Sequence, residues 1–199
     1  MARGAFQFLV APFGARELIL PGDRLQLRAP RGADFKAYRD VRQKNRDYLQ
    51  NREPTWSQDE LSRACFRDKI WAYNKMARLD EGRAFFIWDK NFETIFGGIT
   101  LGHIRRGASQ MASLGYWLGE EYANQGLMSE AVSLVVDYAF TSLHLHRLEA
   151  ACMIDNQASM QVLLNNQFRE EGYASRYLKI NGKWVDHVLF GLCRDDLAH

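Results

Sequence analysis

The chain has 199 residues, 47% of them hydrophobic and 25% charged, with a formal net charge of +2. That length suits one domain able to bury a sizeable core, and so mild a charge gives no ground for expecting nucleic acid as a direct partner. Cys65, Cys152 and Cys193 are odd in number and far apart, which excludes reading a disulfide framework or a metal clip from them and fits a reducing cytoplasm. Residues 1–22 read as an appended N-terminal extension ending at Pro21-Gly22, and residues 23–199 as a single domain. The apolar patches at 5–20 are broken by Arg16 and Glu17 with no leader-peptide pattern. No stretch approaches about 18 consecutive apolar residues, so no membrane span is expected.

Along the chain, Leu25-Gln-Leu-Arg28 alternates as a strand does and Pro30 ends it. Asp34 is placed to cap a helix bearing Phe35, Tyr38 and Val41, whose basic residues Arg39, Arg42, Lys44 and Arg46 are broken by Asp40 and read as a solvated face. Ser57-Gln-Asp-Glu60 has the form of a capping box, so a second helix is expected to start there and run through Leu61, Cys65, Ile70 and Tyr73. Residues 84–88 and 94–102 then read as strands joined by a turn, and residues 113–119 as a third. A helix is expected over 127–142, a strand over 147–154 and a helix over 156–165. Strands over 170–180 and 184–192 close the chain as a hairpin through the turn dipeptide Asn181-Gly182. Strand, two helices, three strands, helix, strand, helix and two strands make an α+β fold with a mixed central sheet flanked by helices.

The informative stretch runs from Tyr116 to Ala131. A strand enters a short loop containing Gly126, and a helix begins at once. A helix N-terminus presents backbone N–H groups without intrahelical partners, and the macrodipole adds to their preference for an anion such as phosphate. Gly126 would let the backbone approach that anion closely. An ordinary strand–loop–helix connection reads the same way. Asp155-Asn156-Gln-Ala-Ser159, at the next strand-to-helix junction, either caps its helix or turns Asn156 and Ser159 toward a ligand lying between the two helices. Neither a P-loop, a dinucleotide-binding glycine pattern nor a G-x-S-x-G elbow is present.

Gln125-Gly-Leu-Met-Ser-Glu-Ala131 resembles the acetyl-CoA pyrophosphate loop of the GNAT superfamily, and Asp155-Asn-Gln-Ala-Ser159 with Phe168 and Glu171-Gly172 resembles the motif that follows it. His146-Arg-Leu-Glu-Ala150, Glu171-Gly-Tyr173 and Asn181-Gly-Lys-Trp-Val-Asp-His-Val188 are similar to the RimJ/RimL ribosomal-protein N-terminal acetyltransferases, and to the RimJ (alanine) branch most. The resemblance spans about residues 23–192. It implies the GNAT fold and acetyl-CoA as co-substrate, with no metal. By position it implies that the strand at Trp117 and Leu118 pairs with the pantetheine arm. Asn124, Gln125, Gly126, Leu127, Met128 and Ser129 would hold the pyrophosphate, Asn156 would contact the arm, and Ser159 would protonate the departing thiolate. The chain departs from the pattern at Ala123 and Asn124, where Arg or Gln and then Gly are usual, at Met128 and at Gln167. Leu178 stands where RimL-like members carry the glutamate proposed as general base.

With that glutamate missing, Glu149 is the candidate base, its alternative being an ion pair with Arg147 on the same strand face. Tyr116 is a second possibility, relaying through water. The remaining polar and aromatic residues invite blander readings. His144-Leu-His146 lacks a third metal ligand. Asp186-His187 lacks an activated serine and is expected to be structural or to edge the substrate. Cys152 sits in an apolar setting as a core thiol, and Trp56 and Trp71 suit either the acceptor side or the core. The expected function is acetyl transfer by direct attack, through a tetrahedral intermediate, to a primary amine. That amine would be the α-amine of a protein terminus, a ribosomal protein among the options. A small-molecule amine (an antibiotic or aminoacyl toxin) and a non-catalytic acyl-CoA-binding module are the alternatives. Monomer and homodimer both remain open.

Overall fold

The structure, a computed structural model, describes residues 8–10 and 16–197. Its strands are β1 (Phe8–Val10), β2 (Arg16–Pro21), β3 (Leu25–Arg28), β4 (Arg83–Asp89), β5 (Ile95–Arg105), β6 (Met111–Leu118), β7 (Arg147–Met153), β8 (Arg169–Ile180) and β9 (Lys183–Cys193). Its helices are α1 (Phe35–Lys44), α2 (Arg46–Gln50), α3 (Arg63–Arg78), α4 (Leu127–Thr141) and α5 (Gln157–Asn165). Among the described residues the strands form one sheet in the order β1-β2-β3-β4-β5-β6-β7-β9-β8. Neighbours run antiparallel except β6 and β7, which are parallel. This is the mixed, helix-flanked sheet that the strand order implies.

Two apolar layers cover the sheet. On one face α4 carries an unusually wide buried stripe, including Ala131, Val132, Val135, Val136 and Ala139. It packs on Leu20, Leu25, Leu27, Phe85, Ile87, Leu148, Cys152 and Phe190. On the other face Phe35, Tyr38, Val41 and Phe66 of α1 and α3 pack on Phe86, Trp88 and Ile95. β4 lies between both layers, so its residues from Ala84 to Trp88 are all buried, as expected for a strand covered on both sides.

Three local expectations are revised. Arg16–Pro21, inside the segment read as an extension, is a strand paired with β3, and Leu20 is fully buried in the main core; Phe8–Val10 pairs with it in turn. The second long helix starts at Arg63, not near Ser57. Ser62 caps it, its Oγ accepting from the Cys65 N–H at 3.1 Å, while Ser57 and Glu60 sit in turns. Asp34 precedes α1 but its side chain does not cap it. Its carboxylate instead accepts from the Arg28 guanidinium at 2.9 and 3.1 Å and from the Arg31 N–H at 2.7 Å. A buried ionic partner is a stronger attraction than a helix N–H.

Candidate active site

β6 and β7 pair only at Met111–Arg147, Ala112–Leu148 and Ser113–Glu149. Beyond Ser113 the two strands part, and a cavity of about 690 Å³ opens between them. Its walls include residues from Leu114 to Leu118 and from Ala150 to Met153, the unpaired edges of the two strands. Such edges present backbone N–H and C=O groups to whatever lies between them, which suits an extended ligand carrying amides.

Strand alternation gives the gap two distinct sides. Tyr116 and Cys152 face the α4/α5 layer, and Trp117 faces α1, where it meets Tyr38 edge-on at 6.2 Å between ring centres. Close approach of β5 behind Trp117 requires glycine. A Cβ on Gly98, the cross-strand partner of Trp117, would stand 2.5 Å from the indole Nε1. Gly98→Ala is therefore expected to push the indole into the gap and to cost about 1–3 kcal/mol. A lowered thermal midpoint with an altered tryptophan emission spectrum would show it.

At the α4/α5 side the cavity reaches the start of α4. Gly126 is left-handed, at φ +75°, and so is Asn124, at φ +58°. No side chain caps the helix, and its first intrahelical bond runs from the Glu130 N–H to the Gly126 carbonyl at 3.1 Å. The N–H groups of Leu127, Met128 and Ser129 thus lack intrahelical partners, and all three residues line the cavity. Arg24 fixes this turn from across the fold. Its guanidinium donates to the Gln125 carbonyl at 2.7 Å and to Glu130 Oε2 at 2.9 Å, and Glu130 also accepts the Arg24 N–H at 2.8 Å.

Ser159 stands further along the same side. The Asn156 side chain accepts the Ser159 N–H at 3.2 Å, capping α5. The Ser159 Oγ lies 2.9 Å from the Tyr116 hydroxyl and accepts from the Cys152 thiol at 3.2 Å. Burial pushes the Tyr116 phenol well above its usual range and raises the Cys152 thiol. Both stay protonated near neutral pH, so Ser159 sits among neutral hydroxyl and thiol groups, each able to pass a proton on.

The opposite side is closed by residues 48–54 and by the β8–β9 hairpin. Tyr48, Leu49, Arg52, Glu53 and Pro54 line the cavity together with Leu178, Lys179, Ile180 and His187. The Asn181 N–H donates to the Glu53 carbonyl at 2.9 Å, tying the two together. The Glu53 carboxylate is fully engaged. It accepts from Arg42 at 2.6 and 3.0 Å and from the Trp56 indole at 2.7 Å. Burial alone would lower the Arg42 pKa, but the pairing with Glu53 outweighs it and holds the guanidinium above its ordinary value.

The cavity brings together Trp117, Leu118, Asn124, Gly126, Leu127, Met128, Ser129, Asn156 and Ser159. It leaves out two expected residues. Gln125 is in the turn but not in the wall, its carboxamide donating to the Glu121 carbonyl at 2.7 Å. Glu149 stands where β6 and β7 are still paired, at the closed end of the gap, with its carboxylate 3.0 Å from Arg147. Glu149 is thus held in the ion pair, outside the cavity wall. Arg24 and Glu53 are site residues that the sequence reading does not single out. Each is brought to the site by contacts between distant parts of the chain.

The match to known proteins follows this geometry. Residues 24–169 match the model of the acetyltransferase (GNAT) domain. The chain belongs to the GNAT acetyltransferase family. It is 35% identical, over 89% of its length and 98% of the relative's, to the probable N-acetyltransferase YjcK of Bacillus subtilis. It is 30% identical to the ribosomal protein uS5-alanine N-acetyltransferase of Escherichia coli, over 89% of this chain and 91% of that one. Among solved structures, the ribosomal-protein-S5-alanine acetyltransferase of Vibrio fischeri superposes with a TM-score of 0.84 at 29% identity, covering 90% of this chain and 98% of that one. RimJ of Mycobacterium smegmatis, in complex with CoA-disulfide, gives a TM-score of 0.84 at 28% identity, covering 91% and 87%. This GNAT protein is an acetyl-CoA-dependent N-acetyltransferase. Its donor set fits that co-substrate. The free N–H groups at the start of α4 suit a pyrophosphate, and the unpaired edges of β6 and β7 suit the amides of an extended arm.

Proposed function

We propose that this enzyme acetylates the α-amine at the N-terminus of a protein, with a ribosomal protein beginning with alanine or serine as the first substrate to test. The names of its E. coli and V. fischeri relatives support that choice of substrate. The observation that carries the α-amine is the lack of a free carboxylate at the acceptor side. Among the described residues the cavity wall holds one carboxylate, Glu53, and Arg42 and Trp56 occupy it. Leu178, at the position where the resemblance to RimL-like enzymes implies a glutamate, lines the wall.

A site without a carboxylate base suits an amine that is already partly neutral. A chain-terminal α-amine has a pKa of about 7.7–8.0, so roughly a tenth is neutral near pH 7; a lysine amine near 10.4 has less than about a thousandth. In the proposed reaction the neutral amine attacks the thioester carbonyl, a tetrahedral intermediate forms, and the C–S bond breaks. In this reading the N–H groups along the β6 edge near Leu118 meet the oxyanion, and Ser159 gives the thiolate a proton; both positions line the cavity.

With matched peptides bearing either a free terminal alanine or an internal lysine with a blocked terminus, the α-amine is expected to react about 100-fold faster at pH 7. Faster turnover of the lysine peptide would sink the reading. Mass spectrometry of ribosomal proteins incubated with the enzyme and acetyl-CoA should then show an added acetyl at one terminal alanine or serine. Acetylation of small amines alone would move the acceptor to that class.

A further inference from the structure

His187 is buried, with 2% of its surface exposed, yet its ring lines the cavity. Its Nδ1 lies 2.9 Å from the Val185 carbonyl. A carbonyl only accepts, so this hydrogen bond requires the proton on Nδ1, and in the neutral imidazole that leaves Nε2 as a bare acceptor. Nε2 has no hydrogen-bond partner among the described residues. His187 pairs across the strands with Met153, so both project from the same face of the sheet. That face is opposite the one bearing Cys152 and Ser159, and it is the side walled by Glu53 and Tyr48. The gap between β6 and β7 therefore has a proton-donating cluster on one side and a proton-accepting nitrogen on the other.

We propose that His187 is the general base of acetyl transfer, its Nε2 taking the proton from the attacking amine across the sheet gap from Ser159. This rests on the chain being an acetyltransferase and not on which amine it acetylates. The amine nitrogen forms the N–C bond and passes one proton to Nε2. The C–S bond breaks and the thiolate leaves with its electron pair. It gains a proton through Ser159, which is resupplied from solvent, while His187 returns its proton to solvent.

The groups around the imidazole do not compete for the role. Asp186, its neighbour on β9, is held by the Tyr173 hydroxyl and by the Arg176 N–H at 2.7 Å. The Tyr177 ring on β8 packs edge-on against the imidazole at 5.8 Å between centres. Lys179 and Arg52, which also line the cavity, are cations, and Glu53 is paired with Arg42. Cys152 on β7 is buried on the other face.

Imidazole-nitrogen NMR of the full-length protein, with the His187 signal assigned by its loss in His187→Gln, reads the tautomer without turnover. The Nδ1–H form, the minor one of free histidine in water, is expected; an Nε2–H signal overturns the proposal. In thiol-release assays with an alanine-terminal peptide, His187→Gln should lower kcat about 100-fold. CoA affinity by calorimetry should change less than about 3-fold, the mark of a base acting on the chemical step. His187→Ala should regain activity with added imidazole, which a purely structural histidine would not allow. Activity of His187→Gln within about 3-fold of the parent overturns the proposal. A parent enzyme that binds acetyl-CoA but ignores protein termini would sink the acceptor reading alone, since the tautomer still decides the role of His187.

Discussion

Arg42→Leu is expected to destabilise the protein by about 3–5 kcal/mol, the cost of stranding one member of a buried ion pair. The Arg42 side chain is only 4% exposed and that of Glu53 20%, and the two are joined through both terminal guanidinium nitrogens. The guanidinium also lies over the rings of Trp56 and Trp117, at 4.3 and 5.0 Å from their centres. Its removal would leave the Glu53 carboxylate with the Trp56 indole as its remaining donor. The same residue carries the carbonyl that holds Asn181, so the wall joining residues 48–54 to the β8–β9 hairpin should loosen with it. Urea denaturation measures the stability loss. Kinetics should show a raised KM for the acceptor with CoA affinity little changed, because the α4 turn is built from other contacts. The double variant Arg42→Leu/Glu53→Leu separates the effects. With no charge left unpaired it should regain most of the stability but not the acceptor affinity. A double variant as unstable as Arg42→Leu would show that the aromatic packing, and not the charge, dominates.

How far the sequence foretells the site depends on how local each part of it is. The anion-binding turn is local. A strand end, one glycine and the first turn of a helix lie within Tyr116 to Ala131, and they can be recognised without knowing what packs around them. Asn156 and Ser159 are local for the same reason, since the cap and the residue it caps are three apart. Parity along β7 assigns Glu149 and Met153 to one face, but it cannot say where β6 stops pairing. That stop, just past Ser113, is what leaves Glu149 at the closed end and puts the face of Met153 and His187 in the open. Ser57 with Glu60 has the local form of a capping box, yet the helix begins five residues on, capped by Ser62, so the local motif does not decide the start. Asp34 looked like a cap because Arg28, its ion-pair partner, sits on another element. Arg24 is 101 residues from Gln125 and 106 from Glu130, and nothing in its own neighbourhood marks it.

Gly126→Val should weaken CoA binding roughly 1,000-fold while leaving the fold largely intact. Two effects add. The backbone at 126 is at φ +75°, a region that a β-branched residue enters only at a cost of about 1–3 kcal/mol. Any Cβ there would also stand 3.2 Å from the Arg24 guanidinium, the group that fixes the turn through the Gln125 carbonyl and Glu130. A turn that relaxes to negative φ tips the N–H groups of Leu127 and Met128 away from the phosphates. Each such charge-assisted hydrogen bond is worth about 1.5–3 kcal/mol, so losing two accounts for the expected loss. Because α4 is anchored by its buried stripe from Ala131 to Ala139, well past the turn, the thermal midpoint should fall by only a few degrees. Gly126→Ala should fall between, since alanine enters the left-handed region at about 1–2 kcal/mol and adds one carbon beside Arg24. Calorimetric titration with CoA checks the series. If Gly126→Val bound CoA as the parent does, the pyrophosphate would have to be held elsewhere than at the α4 N-terminus. Arg24→Ala keeps the glycine and removes the guanidinium, so it tells the two causes apart. A loss comparable to that of valine would assign the effect to the clamp, and a small one to the backbone conformation itself.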